Sequence, residues 1–217
     1  MSAVETQDKP ARLRCARCQR PMSHCLCACI PAVSHRTRVV VLQHPDEAKH
    51  PLNTARLAVL GLERAELLVG VDFPQLDGMI ASAGQAWLLF PAEDETRSRP
   101  LTAYRGGDAS LLIVPDGTWR KARQVVRANP VLGTLPRLSL PMGEPSAYRI
   151  RKAREPAAVS TIEAIVRTLS ILEPWQDFQP LLKPFSVLVE QQVQAMAQRT
   201  RQRGGAGAQD STATKHK

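Results

Sequence analysis

At 217 residues, 43% of them apolar, the chain can bury one sizeable core plus a small appendage, and wholesale disorder is excluded. Its longest apolar runs fall well short of the roughly 18 residues that span a bilayer, and MSAVETQDKPARLRC lacks the apolar core of a secretory signal, so a cytoplasmic protein with no membrane partner is expected. The formal net charge of +9 is unevenly placed: residues 117–154 hold nine Lys/Arg against one acid, residues 39–116 six against eleven, a pattern that favours a nucleic-acid footprint over a generally basic surface.

Residues 1–13 are polar and read as a disordered N-terminus. Residues 14–37 carry all five cysteines, in the spacing C-x2-C-x6-C-x-C with Cys29 left over. A tetrahedral zinc site needs four converging ligands, and Cys15, Cys18, Cys25 and Cys27 supply them; Cys29 or His24 could replace one. Disulfides fit poorly with an odd, tightly clustered set in a cytosolic chain. Arg14, Arg17 and Arg20 make this knuckle basic. The segment has too little apolar content to fold without metal.

Residues 38–198 read as one α/β domain. RVVVLQ at 38–43 is a strand closed by His44-Pro45. Asn53 caps a short helix to Gly61, with Leu57 and Leu60 inward. Residues 65–71 form a second strand and 86–90 a third, with a loop over 72–84; Glu93, Asp94 and Glu95 form a solvated acidic loop. Strands about 20 residues apart, some separated by helical patterns, predict a mostly parallel sheet with flanking helices.

The densest signal is LLIVPDGTWRKARQVVRAN, residues 111–129. Leu111 to Val114 is a continuous apolar run, as in a strand covered on both faces. Pro115 ends the ladder, Gly117 permits a sharp turn, and Thr118 caps a helix that starts at Trp119. Asp116 therefore lies at the carboxyl end of a buried strand, where open α/β sheets bind ligands. Arg120, Lys121, Arg123 and Arg127 follow at once. Asp116 has two readings: an Asp-Gly turn residue bound to nearby amides, or a group that accepts a proton from a nucleophile on the substrate. Trp119 is either core or a stacking platform.

Residues 137–140 read as a short strand, followed by a Pro/Gly-rich loop and the basic run Tyr148 to Lys152. Ser160, Thr161, Ile162 and Glu163 match a capping box, which Ser160 and Glu163 could serve without any further role. Ile162, Ile165, Val166, Leu169 and Leu172 then make a helical stripe that Pro174 ends. Residues 185–198 form a last helix with Phe185, Leu188, Val189 and Val193 inward, and 199–217 a disordered basic tail. No glycine-rich phosphate loop is present, and nothing marks an obligate protein partner.

Taken together these motifs resemble the DTW-domain family, tRNA-uridine aminocarboxypropyltransferases of bacterial type. The resemblance rests on Asp116, Gly117, Thr118 and Trp119, on CARC…CLC with Ile30-Pro31, on His44-Pro45 with Asn53-Thr54, and on Leu138–Pro141, Tyr148–Lys152 and Ser160–Ala164 in that order. It covers Cys15 to Leu172; the extra thiol of Cys29 is a departure. It implies transfer of the 3-amino-3-carboxypropyl group of S-adenosylmethionine to uridine N3 in the tRNA variable loop. It also implies a SPOUT-like fold with a knotted C-terminal portion. Asp116 would be the catalytic base. Pro115, Gly117, Thr118, Trp119, Leu138, Ser139, Leu140, Pro141, Ser160, Thr161 and Glu163 would frame the cofactor. Arg120, Lys121, Arg123, Tyr148, Arg149, Arg151 and Lys152 would face tRNA phosphates. An RNA methyltransferase using the same cofactor, or a non-catalytic zinc-containing RNA-binding protein, are the rival readings.

Overall fold

Aliphatic runs with two buried faces build the sheet. The computed structural model describes residues 13–91, 98–100, 105–140 and 159–206. Its strands are β1 (Arg38–Gln43), β2 (Ala65–Val69), β3 (Gln85–Leu89), β4 (Ser98–Pro100), β5 (Ser110–Asp116) and β6 (Arg137–Ser139). They form one sheet in the order β2-β1-β5-β3-β6-β4, and every neighbouring pair is parallel. The helices are α1 (Pro45–Ala48), α2 (Ala55–Gly61), α3 (Leu76–Ala81), α4 (Trp119–Ala128), α5 (Thr161–Leu172) and α6 (Lys183–Ala206).

The period-two alternation of a strand sorts β1 and β5 onto two cores. Val39, Val41, Leu112 and Val114 pack with Leu57 of α2, with Ile162, Ile165 and Leu169 of α5 and with Phe185 and Leu188 of α6. Val40, Leu42, Leu111 and Ile113 face the other way, onto Leu76 of α3 and Ala122 and Val125 of α4. Each such aliphatic side chain, fully withdrawn from water, contributes about 1.5–3 kcal/mol, which is why two-sided hydrophobic runs end up central. No helix among the described residues is long and apolar enough to cross a membrane.

The cysteine segment shares the first core. Leu26 and Val33 are buried in it, and Val33 makes a parallel bridge with Leu62. Arg20 donates to Pro51 O at 2.7 Å and to His24 O at 3.0 Å, and burial lowers its affinity for its proton from the usual value. Arg17 reaches Leu60 O at 3.4 Å. The knuckle's arginines thus fasten it to the body.

Several elements differ from the sequence reading. Helix α3 occupies the expected loop over 72–84; Leu76, Met79 and Ile80 do carry helical spacing, but Pro74 and Gly78 mask it. Strand β4 lies in a polar stretch with no hydrophobic signal. Helix α1 follows His44, whose Nδ1 accepts from Asp46 N at 3.3 Å, with Pro45 at the first position. Asn53 Oδ1 does accept from Arg56 N at 3.2 Å, although the helix boundary falls at Thr54. The last helix extends past both expected ends, and Val193 faces solvent rather than the core.

Candidate active site and metal centre

The connections leaving β1 and β5 part in opposite directions. From β1 the chain passes through α2, on one face, to β2; from β5 it passes through α4, on the other face, to β6 on the far side. The two strands are neighbours, so the gap between their carboxyl ends is a topological switch point, the position where open parallel sheets take ligands. Gln43 and Asp116 are the last residues of these strands and are paired in register. Both continue the parity of Val39, Val41, Leu112 and Val114, and so point to the face covered by α5.

That placement puts two buried polar side chains at the site. Gln43 is fully buried and Asp116 is 9% exposed. Gln43 Nε2 donates to Asp116 Oδ2 at 2.7 Å, and Gln43 Oε1 accepts from Asn53 Nδ2 at 3.2 Å. Thr161 Oγ1 donates to Asp116 Oδ1. Thr161 is the first residue of α5, directly after the capping box in which Ser160 Oγ and Glu163 hold each other. The Asp116 carbonyl in turn accepts from His44 N at 3.1 Å. The His44-Pro45, Asn53, Asp116 and Ser160–Glu163 motifs, far apart in the sequence, therefore meet around Asp116, His44 at its carbonyl and Asn53 by way of Gln43.

Gly117 turns the chain between β5 and α4 with φ +155°, and a Cβ there would stand 3.0 Å from Lys121 Cβ. Only glycine meets both demands without displacement. Thr118 is the N-cap residue of α4 by position, without a side-chain cap bond. Trp119 is 48% exposed and leans edge-on against Phe90, ring centroids 5.8 Å apart. Pro115 is half-buried on β5.

On β6, Leu138 is fully buried core, and Ser139 and Leu140 beside it are half-buried. Arg120 and Arg123 are exposed on α4. Lys121 is held by Glu47 Oε1 at 2.9 Å and by Asp46 Oδ2 at 3.4 Å, which tie α4 to α1 and raise the lysine's hold on its proton. Its charge is met locally. Pro141, Tyr148, Arg149, Arg151 and Lys152 lie outside the described residues, as does the acidic loop at 93–95. Gln43 is a candidate site residue that the sequence motifs do not single out, whereas Asn53 enters them as a helix cap and in Asn53-Thr54. The available signal is a polar residue closing RVVVLQ on the inward parity.

Four sulfurs converge in the knuckle. Those of Cys15, Cys18, Cys25 and Cys27 all lie within 4.8 Å of one another. Cys15 Sγ is 3.6 Å from Cys27 Sγ, and Cys18 Sγ is 3.8 Å from Cys25 Sγ. Ligands about 2.3 Å from a tetrahedral zinc stand about 3.8 Å apart, so the four sulfurs fit such an ion, and the gaps are too wide for disulfide bonds. All five thiols are free. Backbone N–H groups of Cys18 and Arg17 aimed at Cys15 hold its thiol down to about 6, while burial and the neighbouring Cys15 push that of Cys27 up to about 12. Gln19 takes a left-handed turn, φ 60°, to bring the first pair round. Cys29 bonds Leu26 O instead, at 3.1 Å, and His24 pairs with Ser23 at 2.8 Å.

The fold and site define a class: a parallel α/β protein with a buried carboxylate at its switch point and a cysteine cluster that could hold a metal. More narrowly, residues 12–193 match the DTW domain, and the chain belongs to that family. It is 31% identical over 194 residues to tRNA-uridine aminocarboxypropyltransferase 2 of Drosophila melanogaster, covering 84% of this chain and 76% of that protein. The Macaca fascicularis protein of the same name is 30% identical over 202 residues, covering 88% and 67%. Against tRNA-uridine aminocarboxypropyltransferase A of Arabidopsis thaliana the identity is 28% over 191 residues, covering 74% and 72%. No solved structure matches the chain.

Proposed function

We propose that this protein is a tRNA-uridine aminocarboxypropyltransferase. It moves the 3-amino-3-carboxypropyl group of S-adenosylmethionine to N3 of a uridine in tRNA, in the variable loop, and releases 5′-methylthioadenosine. The observation that carries the reading is the meeting of four separate family motifs around Asp116 at the switch point.

The chemistry asks for two things. Uridine N3 holds a proton and is a poor nucleophile until that proton leaves. The sulfonium is already an electrophile at three carbons, so the γ-carbon must be the one presented. In the step, the N3–Cγ bond forms, the S–Cγ bond breaks with its electron pair going to sulfur, and the N3 proton passes to Asp116. Gln43 and Thr161 hold the carboxylate from either side, so its approach to N3 is fixed before substrate arrives. Such prior orientation supplies a large part of the rate gain available to an ordinary carboxylate. Pro115–Trp119, Leu138–Pro141 and Ser160–Glu163 frame the cofactor, and Arg120, Lys121 and Arg123 together with Tyr148, Arg149, Arg151 and Lys152 face tRNA. An all-parallel sheet with α5 entering at the ligand edge supports a SPOUT-like arrangement. The knot that family implies would be exceptional among folds.

Zinc is the metal we assign to Cys15, Cys18, Cys25 and Cys27; when bound it holds the knuckle folded and takes no part in the transfer. Free thiols in this number suit the reducing cytosol. The test is mass spectrometry of nucleosides from tRNA incubated with purified protein and S-adenosylmethionine. Aminocarboxypropyluridine is the expected product. Methyluridine would replace the reading with a methyltransferase, and tRNA binding without any product would replace it with a non-catalytic RNA-binding protein.

A further inference from the structure

Behind Trp119, on the α4 side of the sheet, lies a cleft of about 320 Å³ that no motif points to. Phe90, Val126 and Pro130 form its apolar wall; Arg123, Arg127 and Arg137 supply its charge. Arg123 and Arg127 stand four apart on α4, so the helix stacks like charges on one stripe, an arrangement that costs stability unless something anionic answers it. Among the described residues no carboxylate forms an ion pair with any of the three, whereas Lys121 on the same helix has two. Arg137 is not a loose surface cation either. Its Nη1 donates to Pro91 O at 3.0 Å and its guanidinium lies 5.9 Å from the Phe90 ring centre, which aims the group across the cleft. The same ring meets Trp119, three residues beyond Asp116.

We propose that this cleft is a nucleotide-binding subsite for the tRNA strand next to the target uridine: Arg123, Arg127 and Arg137 take a backbone phosphate, and Phe90, Val126 and Pro130 receive the attached sugar and base edge. The volume is at the small end for ligand pockets and suits one nucleotide unit. Planar guanidiniums are the side chains that grip phosphate oxygens in pairs. Phe90 is the joint of the device: one ring carries both the Trp119 indole, at the rim of the active edge, and the Arg137 guanidinium, in the cleft. A nucleotide seated in the cleft is thereby held at a fixed remove from Asp116. The assignment rests on the reading that tRNA is the substrate, and it adds Arg127, Arg137 and Phe90 to the residues that engage it.

The test is a salt series of binding measurements between the purified full chain and a tRNA transcript, by fluorescence anisotropy. The variants are Arg127→Ala, Arg137→Gln and the triple Arg123→Ala/Arg127→Ala/Arg137→Gln, with Arg36→Ala, on another part of the surface, as the control. The plot of log affinity against log salt is expected to flatten by about 0.7–0.9 for each phosphate that is no longer neutralised. The KM for tRNA should rise while kcat at saturating tRNA stays close to wild type, and the control should leave the slope within error. A thermal melt shows whether each variant is folded, and Arg127→Ala alone, at an exposed position, keeps the test open should the triple unfold. Unchanged slope and KM in a folded triple variant would overturn the subsite while leaving the transferase reading intact. Wild-type protein that binds no tRNA would overturn both.

Discussion

Gln43 and Asp116 end neighbouring parallel strands in register, and their side chains meet at 2.7 Å. Asn53 Nδ2 bonds Gln43 Oε1, which fixes the amide so that its NH2 group, not its oxygen, faces the carboxylate. The polar pair caps two columns of valine and leucine. A hydrophobic pair would fit the same parity and bury better, so the polar pair is retained against the local demand of the core.

Gln43→Leu keeps the volume and removes the donor. The carboxylate should swing, and kcat for aminocarboxypropyl transfer should fall about tenfold to a hundredfold, in line with the cost of small misplacements at a reacting centre. Loss of a buried partner should also lower stability by about 1–3 kcal/mol. Affinity for tRNA should not move, because Gln43 is fully buried. Steady-state kinetics beside anisotropy separates the two effects; a loss confined to tRNA affinity would show that Gln43 acts elsewhere.

Asp116→Asn preserves shape but can no longer take the N3 proton; its oxygen still accepts from Gln43 Nε2, and its NH2 group can donate to the Thr161 hydroxyl, which turns to accept. Transfer should fall to background while tRNA binding persists. Thr161→Val, which loses one hydrogen bond to the carboxylate, should be intermediate. Full activity in Asp116→Asn would reduce Asp116 to a structural tie among β1, β5 and α5.

The knuckle should carry one zinc per chain by elemental analysis of protein purified without added metal. Cys18 is nearly fully buried and Leu26 beside it sits in the main core, so metal loss should reach beyond the knuckle. Prolonged chelation, or Cys18→Ser, is expected to lower the melting temperature of the whole domain and not just a local transition. Cys29→Ser should leave metal content unchanged, since that thiol is turned to the Leu26 carbonyl.

How much of this is legible in the sequence depends on the range of each signal. RVVVLQ and LLIVPD announce buried strands because two-sided burial leaves a continuous apolar run, and the capping box at Ser160–Glu163 is a local device with a local signature. The convergence of Cys15, Cys18, Cys25 and Cys27 is readable from their spacing alone. Asp116 as a strand-end carboxylate is readable too. Its partners are not: Gln43 is 73 positions away and becomes a neighbour only through the parallel β1–β5 pairing. Lys121 looks in sequence like the arginines around it until α1 folds against α4 and brings Glu47 to it. Helix α3 is six residues long with a glycine inside, too short for periodicity to outweigh its breakers.

The loop leading into β1 carries a second buried polar cluster, and it makes the protein's stability depend on pH in a known direction. His35 is buried, its Nδ1 paired with Thr37 O at 2.7 Å and its Nε2 accepting from Arg64 N at 3.0 Å. Nε2 is thus an acceptor and the ring is neutral. Burial holds its proton affinity below the ordinary value of 6.5, against the opposing pull of the Thr37 carbonyl and Glu173. As pH falls through about 6.5 the unfolded chain takes up this proton before the native chain does. The stabilisation is therefore complete above about pH 6.5 and declines below it, by at most about 1.4 kcal/mol per pH unit. Urea unfolding at about pH 7.5 and about pH 5.5 checks this by comparing wild type with His35→Gln, which lacks the titrating ring. The variant should be less stable at the higher pH, having lost a fitted buried group, but should lose less on acidification. Equal losses in the two proteins would show that His35 is protonated as readily in the native loop as in the unfolded chain.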